Sequence, residues 1–168
     1  MKINREKVEQ LVRTMKPLFT DSSRASQIKT KGACDYVTQV DIQVQKLIKE
    51  GLYQMYPQVQ FMGEEQDNTA IDRKGDFWIL DPVDGTTNLI HDFRHSTLSL
   101  AYAEAGTVEL GIVYQPYTDE MFVAVKGKGA FLNGKPIHVS EAKTLSESLV
   151  TIGTSPYYHE LADWIFKV

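Results

Sequence analysis

Four carboxylates and two threonines crowd two short stretches of this chain: Gly63-Glu64-Glu65, then Phe77-Trp78-Ile79-Leu80-Asp81-Pro82-Val83-Asp84-Gly85-Thr86-Thr87-Asn88. An aromatic and aliphatic run leads straight into Asp81, and Asp84 meets Gly85 at a turn that should open a short helix. Acids therefore gather where a strand ends. If Glu64, Asp81 and Asp84 come within ~5 Å of one another, repulsion at an effective dielectric of about 20 amounts to ~3 kcal/mol per ionised pair. A cation must sit among them, or a proton must stay on one of them. The donors are all hard oxygens with no Cys and His arrangement nearby, which favours Mg²⁺ over Zn²⁺. Gly85, Thr86 and Thr87 at a helix start present backbone N–H groups to an anion such as phosphate. The combination reads as metal-assisted hydrolysis of a phosphate ester, in which the metal polarises phosphoryl oxygens, activates water and steadies the departing alkoxide. Singly, an Asp-Gly-Thr turn or a Glu-Glu pair is ordinary cap and surface chemistry; only together do they carry that reading.

These residues need elements to hold them. Val8, Leu11, Val12, Met15, Leu18 and Phe19 at helical spacing predict a helix over residues 4–19, and the polar, aperiodic residues 20–33 predict a surface loop. Val40, Val44, Leu47, Ile48, Gly51 and Met55 predict a second helix over 38–56, stopped by Pro57. Short β-type runs follow at 77–80, 98–104, 108–115, 121–125 and 130–137. Ala105-Gly106, Thr118-Asp119 and Asn133-Gly134 supply turn chemistry, the last a type I′ hairpin signal. A further strand is expected over 149–152. Helices ahead of an antiparallel meander make the fold class α+β, built in layers. Pro156 followed by Tyr157, Leu161, Trp164, Ile165 and Val168 predicts an amphipathic last helix without a cap. Such a helix needs a further layer, so the chain is expected to be the N-terminal part of a larger protein.

With 42% apolar and 24% charged residues, 168 residues suffice for one packed domain. Eighteen Lys and Arg against 22 Asp and Glu give a net charge of -4, which argues against nucleic acid as a partner. The single cysteine, Cys34, forms no internal disulfide, and the charged first twenty residues carry no apolar signal core. No apolar run approaches the ~20 residues that cross a bilayer, so no membrane partner and a cytoplasmic location are expected. His91 and His95 bracket Asp92 where a zinc protease needs Glu, and Gly127-Lys128-Gly129 lacks P-loop spacing and reads as a hairpin turn.

The string from Trp78 to Asn88, with Gly63-Glu64-Glu65 upstream, resembles the inositol monophosphatase family of Mg²⁺-dependent, lithium-sensitive phosphatases. Asp35-Tyr36-Val37-Thr38-Gln39-Val40-Asp41 is similar to that family's early loop motif, and residues 127–133 to its Gly-Lys-Gly-Ala-Phe hairpin. The resemblance implies the N-terminal αβ portion, two helices packed on a largely antiparallel sheet, of a layered αβαβα sandwich. Residues 1–168 would be the metal-binding domain, with the C-terminal α/β domain lying outside this chain. The aspartate of that domain's Trp-Asp motif has no counterpart here, since Asp163-Trp164 reverses the order.

By the same resemblance Glu64, Asp81 and the backbone carbonyl of Val83 hold a first metal, and Asp81 and Asp84 contribute to a second, among two or three Mg²⁺ ions in a complete protein. Glu65 stays close by. Thr86, hydrogen-bonded to Asp41, orients and helps deprotonate the attacking water with Glu64 assisting, while the N–H groups of Gly85 and Thr86 hold the phosphate. Lys31 belongs to a loop that folds over the metals. The implied substrate is a small phosphate monoester, inositol monophosphate first. Fructose 1,6-bisphosphate, nucleoside 3′,5′-bisphosphate and NADP are alternatives on the same fold, and a homodimer is implied. A rival of another class is a truncated, non-catalytic module that binds a metal or a partner.

Overall fold

Asn4 caps the first helix of the computed structural model, which describes residues 3–21, 28–30 and 36–151. Its side chain accepts the Lys7 N–H, and α1, Arg5–Arg13, buries Val8 and Val12. The helix expected over 4–19 is broken at Thr14 and Met15 and resumes as α2, Lys16–Thr20. Pro17 explains the break: it has no N–H to donate, and its ring would collide with the Arg13 carbonyl of a continuous helix. Met15, Leu18 and Phe19 still turn inward.

Two short strands, β1 Ile28–Thr30 and β2 Tyr36–Thr38, pair antiparallel with Ile28 opposite Thr38. The first corrects the loop expected over 20–33; a two-strand ribbon held by backbone bonds leaves no apolar period in the sequence. Next comes α3, Gln39–Met55, entered through a capping box in which Thr38 and Asp41 satisfy each other's orphan groups. Val40, Val44, Ile48 and Leu52 bury its inner face, while Leu47, expected there, is 43% exposed. Gly51 lets α1 approach, since a Cβ there would lie 2.6 Å from Leu11 Cδ1.

The main sheet runs in chain order: β3 Gln60–Gly63, β4 Phe77–Asp84, then after α4 (Thr86–Ile90) β5 Thr97–Glu104, β6 Thr107–Gln115, β7 Glu120–Val125, β8 Gly129–Leu132 and β9 Lys135–Ile137. The expected meander is present from β4 onward, all antiparallel, and β3 adds a parallel edge strand beside β4. The run expected over 130–137 is two strands joined at Asn133-Gly134, both with positive φ, as a type I′ turn requires; Ala105-Gly106 does the same. No strand forms over 149–151, where Leu149 is 95% exposed, because no described strand lies alongside to accept the ladder. Ile152 and the helix expected over 156–168 lie outside the described residues.

One face of the sheet carries the core. Trp78, Leu80, Leu98, Leu100, Tyr102, Ile112, Tyr114 and Met121 pack beneath the three N-terminal helices, with the Trp78 ring between Tyr56 at 5.8 Å and Tyr102 at 5.0 Å. The layered mixed fold with a largely antiparallel sheet is thus present. Among the described residues no helix is long and apolar enough to cross a membrane.

Candidate functional site

The carboxylates meet where β3 ends beside the middle of β4. Parallel pairing sets Gly63 beside Leu80, so Glu64, the first residue past β3, comes alongside Asp81 of β4, and Glu64 N–H donates to Leu80 O at 3.1 Å. Between Asp81 and Asp84 strand β4 bulges: it advances three residues while its partner advances two, from Ser99 to Thr97. Residues three apart on a regular strand face opposite sides; the extra residue lets Asp81 and Asp84 act on the same space. Pro82 suits this place because it has no N–H to offer a ladder. Val83 N–H instead donates to Asp81 Oδ1 at 3.1 Å and fixes that carboxylate.

Gly85 then turns the chain into α4 with φ 87°, a left-handed conformation natural to glycine. A Cβ there would also lie 3.1 Å from His95 O. Ser96 Oγ donates to Gly85 O at 2.8 Å and Asn88 Nδ2 to His95 O at 2.8 Å, so the turn is clamped by the segment leading into β5. Leu89 N–H to Gly85 O is the first rung of α4, which leaves the amides of Thr86 and its neighbours ahead of the ladder.

Asp41 reaches this turn from α3. It is 2% exposed; its Oδ2 accepts Thr38 N–H at 2.8 Å and Thr38 Oγ1 at 2.6 Å, and its Oδ1 accepts from Thr86 Oγ1 at 3.2 Å. Thr86 Oγ1 also lies 3.0 Å from Val83 O. The expected Thr86–Asp41 pair is therefore formed.

Burial, then the charge and hydrogen bond of Glu64, then the charge of Asp84, push the Asp81 carboxyl up to about 7. The repulsion foreseen in the sequence is thus present at Asp81. Among the described residues no three His, Cys, Asp or Glu side chains close into a metal cage. Lys31 and the Asp35 end of the early loop motif lie outside the described residues. Glu65 follows Glu64 with its N–H on Gln45 Oε1 at 2.9 Å. Gln45 and Ser96 were not foreseen as parts of this site, and Asn88, the last residue of the string from Trp78 to Asn88, carried no assigned role; Gln45 had a signal, one helical turn beyond Asp41. A cavity of about 540 Å³ between α3 and β3, walled by Lys49, Tyr53, Phe61 and Trp78, contains none of these carboxylates.

A family model described as the inositol monophosphatase family matches residues 2–163. An inositol-1-monophosphatase of Rhizobium meliloti is 38% identical over 128 residues, 76% of this chain and 48% of that protein. Among solved structures, the extragenic suppressor protein suhB of Bartonella henselae superposes with a TM-score of 0.78 at 31% identity, covering 83% of this chain and 55% of that one. An IMPase/NADP phosphatase complexed with Mg²⁺ and phosphate gives a TM-score of 0.69 at 30% identity, covering 76% and 49%. The chain spans about half the length of these relatives. A match across nearly all of its residues, on a fold that pairs Glu64 with Asp81 and Thr86 with Asp41, makes this chain a member of the inositol monophosphatase family.

Proposed function

We propose that this chain is the metal- and phosphate-binding αβ domain of a Mg²⁺-dependent phosphomonoesterase, with inositol monophosphate as the first substrate to test. The observation that carries it is the Glu64–Asp81 contact, two hard acidic donors forced together beside the Thr86–Asp41 pair. Their donor chemistry fits a hard cation. Family membership and the Mg²⁺ and phosphate of the IMPase/NADP phosphatase complex support the assignment.

Glu64, Asp81 and Val83 O would hold one Mg²⁺ and Asp81 with Asp84 would contribute to another, supplying positive charge to the phosphoryl oxygens, a more acidic water and a stabilised leaving alkoxide. Thr86 has one hydroxyl hydrogen and two acceptors in reach, Asp41 Oδ1 and Val83 O. Donation to Asp41 leaves Val83 O available as a ligand and turns a Thr86 lone pair to the attacking water, whose hydrogen it accepts. The amides of Gly85 and Thr86 orient the phosphate. The water oxygen bonds to phosphorus and gives up a proton, the bond from phosphorus to the alcohol oxygen breaks, and the departing alkoxide takes up a proton in its place, so that none is gained or lost overall. Glu65 supports Glu64. Homodimerisation belongs to the same proposal.

A second reading, a binding module without turnover, is favoured by the lack, among the described residues, of three His, Cys, Asp or Glu side chains grouped to hold a metal. Phosphate release from inositol 1-phosphate, fructose 1,6-bisphosphate, nucleoside 3′,5′-bisphosphate and NADP, with and without Mg²⁺ and Li⁺, separates the two. Turnover is expected to need Mg²⁺, fall with Li⁺ and drop ~100-fold or more in Asp84→Asn with the fold retained. Folded protein that releases no phosphate would mean that turnover requires the C-terminal half of the relatives, or that the chain is a binding module.

A further inference from the structure

The Glu64 side chain is exposed, so packing does not fix it; its place is set by the backbone on either side. That backbone is held from three directions. Strand β4 supplies Leu80 O for Glu64 N–H. The following turn supplies Asn68, whose Nδ2 donates to Gly63 O at 2.7 Å and whose Oδ1 accepts Gly63 N–H at 3.2 Å. Helix α3 supplies Gln45, 7% exposed, whose Oε1 accepts Glu65 N–H at 2.9 Å.

The third tie differs in kind from the others. Leu80 and Asn68 connect the Glu64 corner to its own sheet and its own turn, whereas Gln45 connects it to the helix that carries Asp41. Asp41 and Gln45 are four residues apart, one turn and ~6 Å along the axis, on one face of α3. The first reaches Thr86 beyond β4 and the second reaches Glu65 beyond β3. Both halves of the site are thereby referenced to a single rigid element. The sequence makes room for this: at Gly63 a Cβ would lie 2.4 Å from Gln45 Oε1, so any side chain there would displace the amide.

We propose that Gln45 is a positioning residue of the carboxylate site, its side-chain carbonyl holding the Glu65 amide so that Glu64 stays in place beside Asp81 to receive a divalent cation. This deepens the metal-site reading above and rests on it. Gln45 acts through Glu65 and touches no substrate. What it supplies is the acceptor oxygen, so glutamate in its place preserves the tie and a side chain of equal length without an acceptor does not.

The test is Mn²⁺ binding to the chain, followed by calorimetry and by water-proton relaxation, with the denaturation midpoint in chelator as the measure of fold. Gln45→Met is expected to weaken Mn²⁺ binding by ~10-fold or more and Gln45→Glu to stay within ~3-fold of the parent. Should Gln45→Met not fold, Gln45→Asn serves, since it withdraws the oxygen by ~1.5 Å from the Glu65 amide. A purely structural role would lower the midpoint in chelator and leave the affinity of the folded protein unchanged. Parent-like affinity in folded Gln45→Met or Gln45→Asn overturns the proposal and leaves the metal site standing, as does an equal loss in Gln45→Glu. Failure of the parent chain to bind Mn²⁺ overturns both.

Discussion

Trp78 and Leu80 lie buried beneath the helices, whereas Asp81, the next residue along β4, holds its carboxyl half-buried against another acid. One strand thus serves as core at its start and as candidate site at its end, with the bulge before Asp84 beyond the divide. At the first end burial removes apolar surface from water and stabilises the fold. At the second end burial raises the energy of a charge. The contrast teaches that the strained end is tolerable because the other is over-determined: the aromatic stack of Tyr56, Trp78 and Tyr102 holds the strand whatever the acids do.

The largest expected effect breaks the core end. Trp78→Ala should cost ~3–5 kcal/mol in urea unfolding, from lost burial and the void left between two tyrosines. A loss below ~1 kcal/mol would show that the strand is not anchored there. Next, Asp41→Ala removes the acceptor of three hydrogen bonds, from Thr38 N–H, Thr38 Oγ1 and Thr86 Oγ1, and should cost ~2–3 kcal/mol. Calorimetric unfolding in chelator reads this, and an unchanged midpoint would mean the site end contributes nothing to the frame.

The smallest effect sharpens the contrast through pH. Asp81 titrates near 3.8 when unfolded and at about 7 when folded, so the folded state binds more protons between those values. Stability in chelator is therefore highest below about pH 4 on this account and falls as pH rises to about 7. For a half-exposed carboxyl the loss is ~1–2 kcal/mol after solvent screening. Asp81→Asn should flatten the slope between about pH 4 and 7; a slope retained in that variant would place its origin elsewhere.

Much of this arrangement was legible in the residues. The acids before and after Pro82, α3 and the Asn133-Gly134 turn each have local chemistry that sequence spells out, whereas the Thr86–Asp41 pair follows only from the family resemblance. What escaped depends on partners distant in the chain. Strand β3 has one buried residue in four, and only its parallel register to β4 shows that it delivers Glu64. Gln45 reads as one more polar helix residue until Gly63 approaches it. The break between α1 and α2 was different, since Pro17 announced it and the apolar period concealed it.

The register that sets Gly63 against Leu80 also makes this site intolerant of length errors. A strand shifted by one residue presents every side chain to the opposite face, and β3, short and at the sheet's edge, has little core of its own to resist such a shift. A residue gained or lost between α3 and β3 would leave most of the meander packed while carrying Glu64 away from Asp81. The connection after Met55 is therefore a gauge whose length is set by the chemistry at its far end, and drift there would silence the site long before it unfolded the protein.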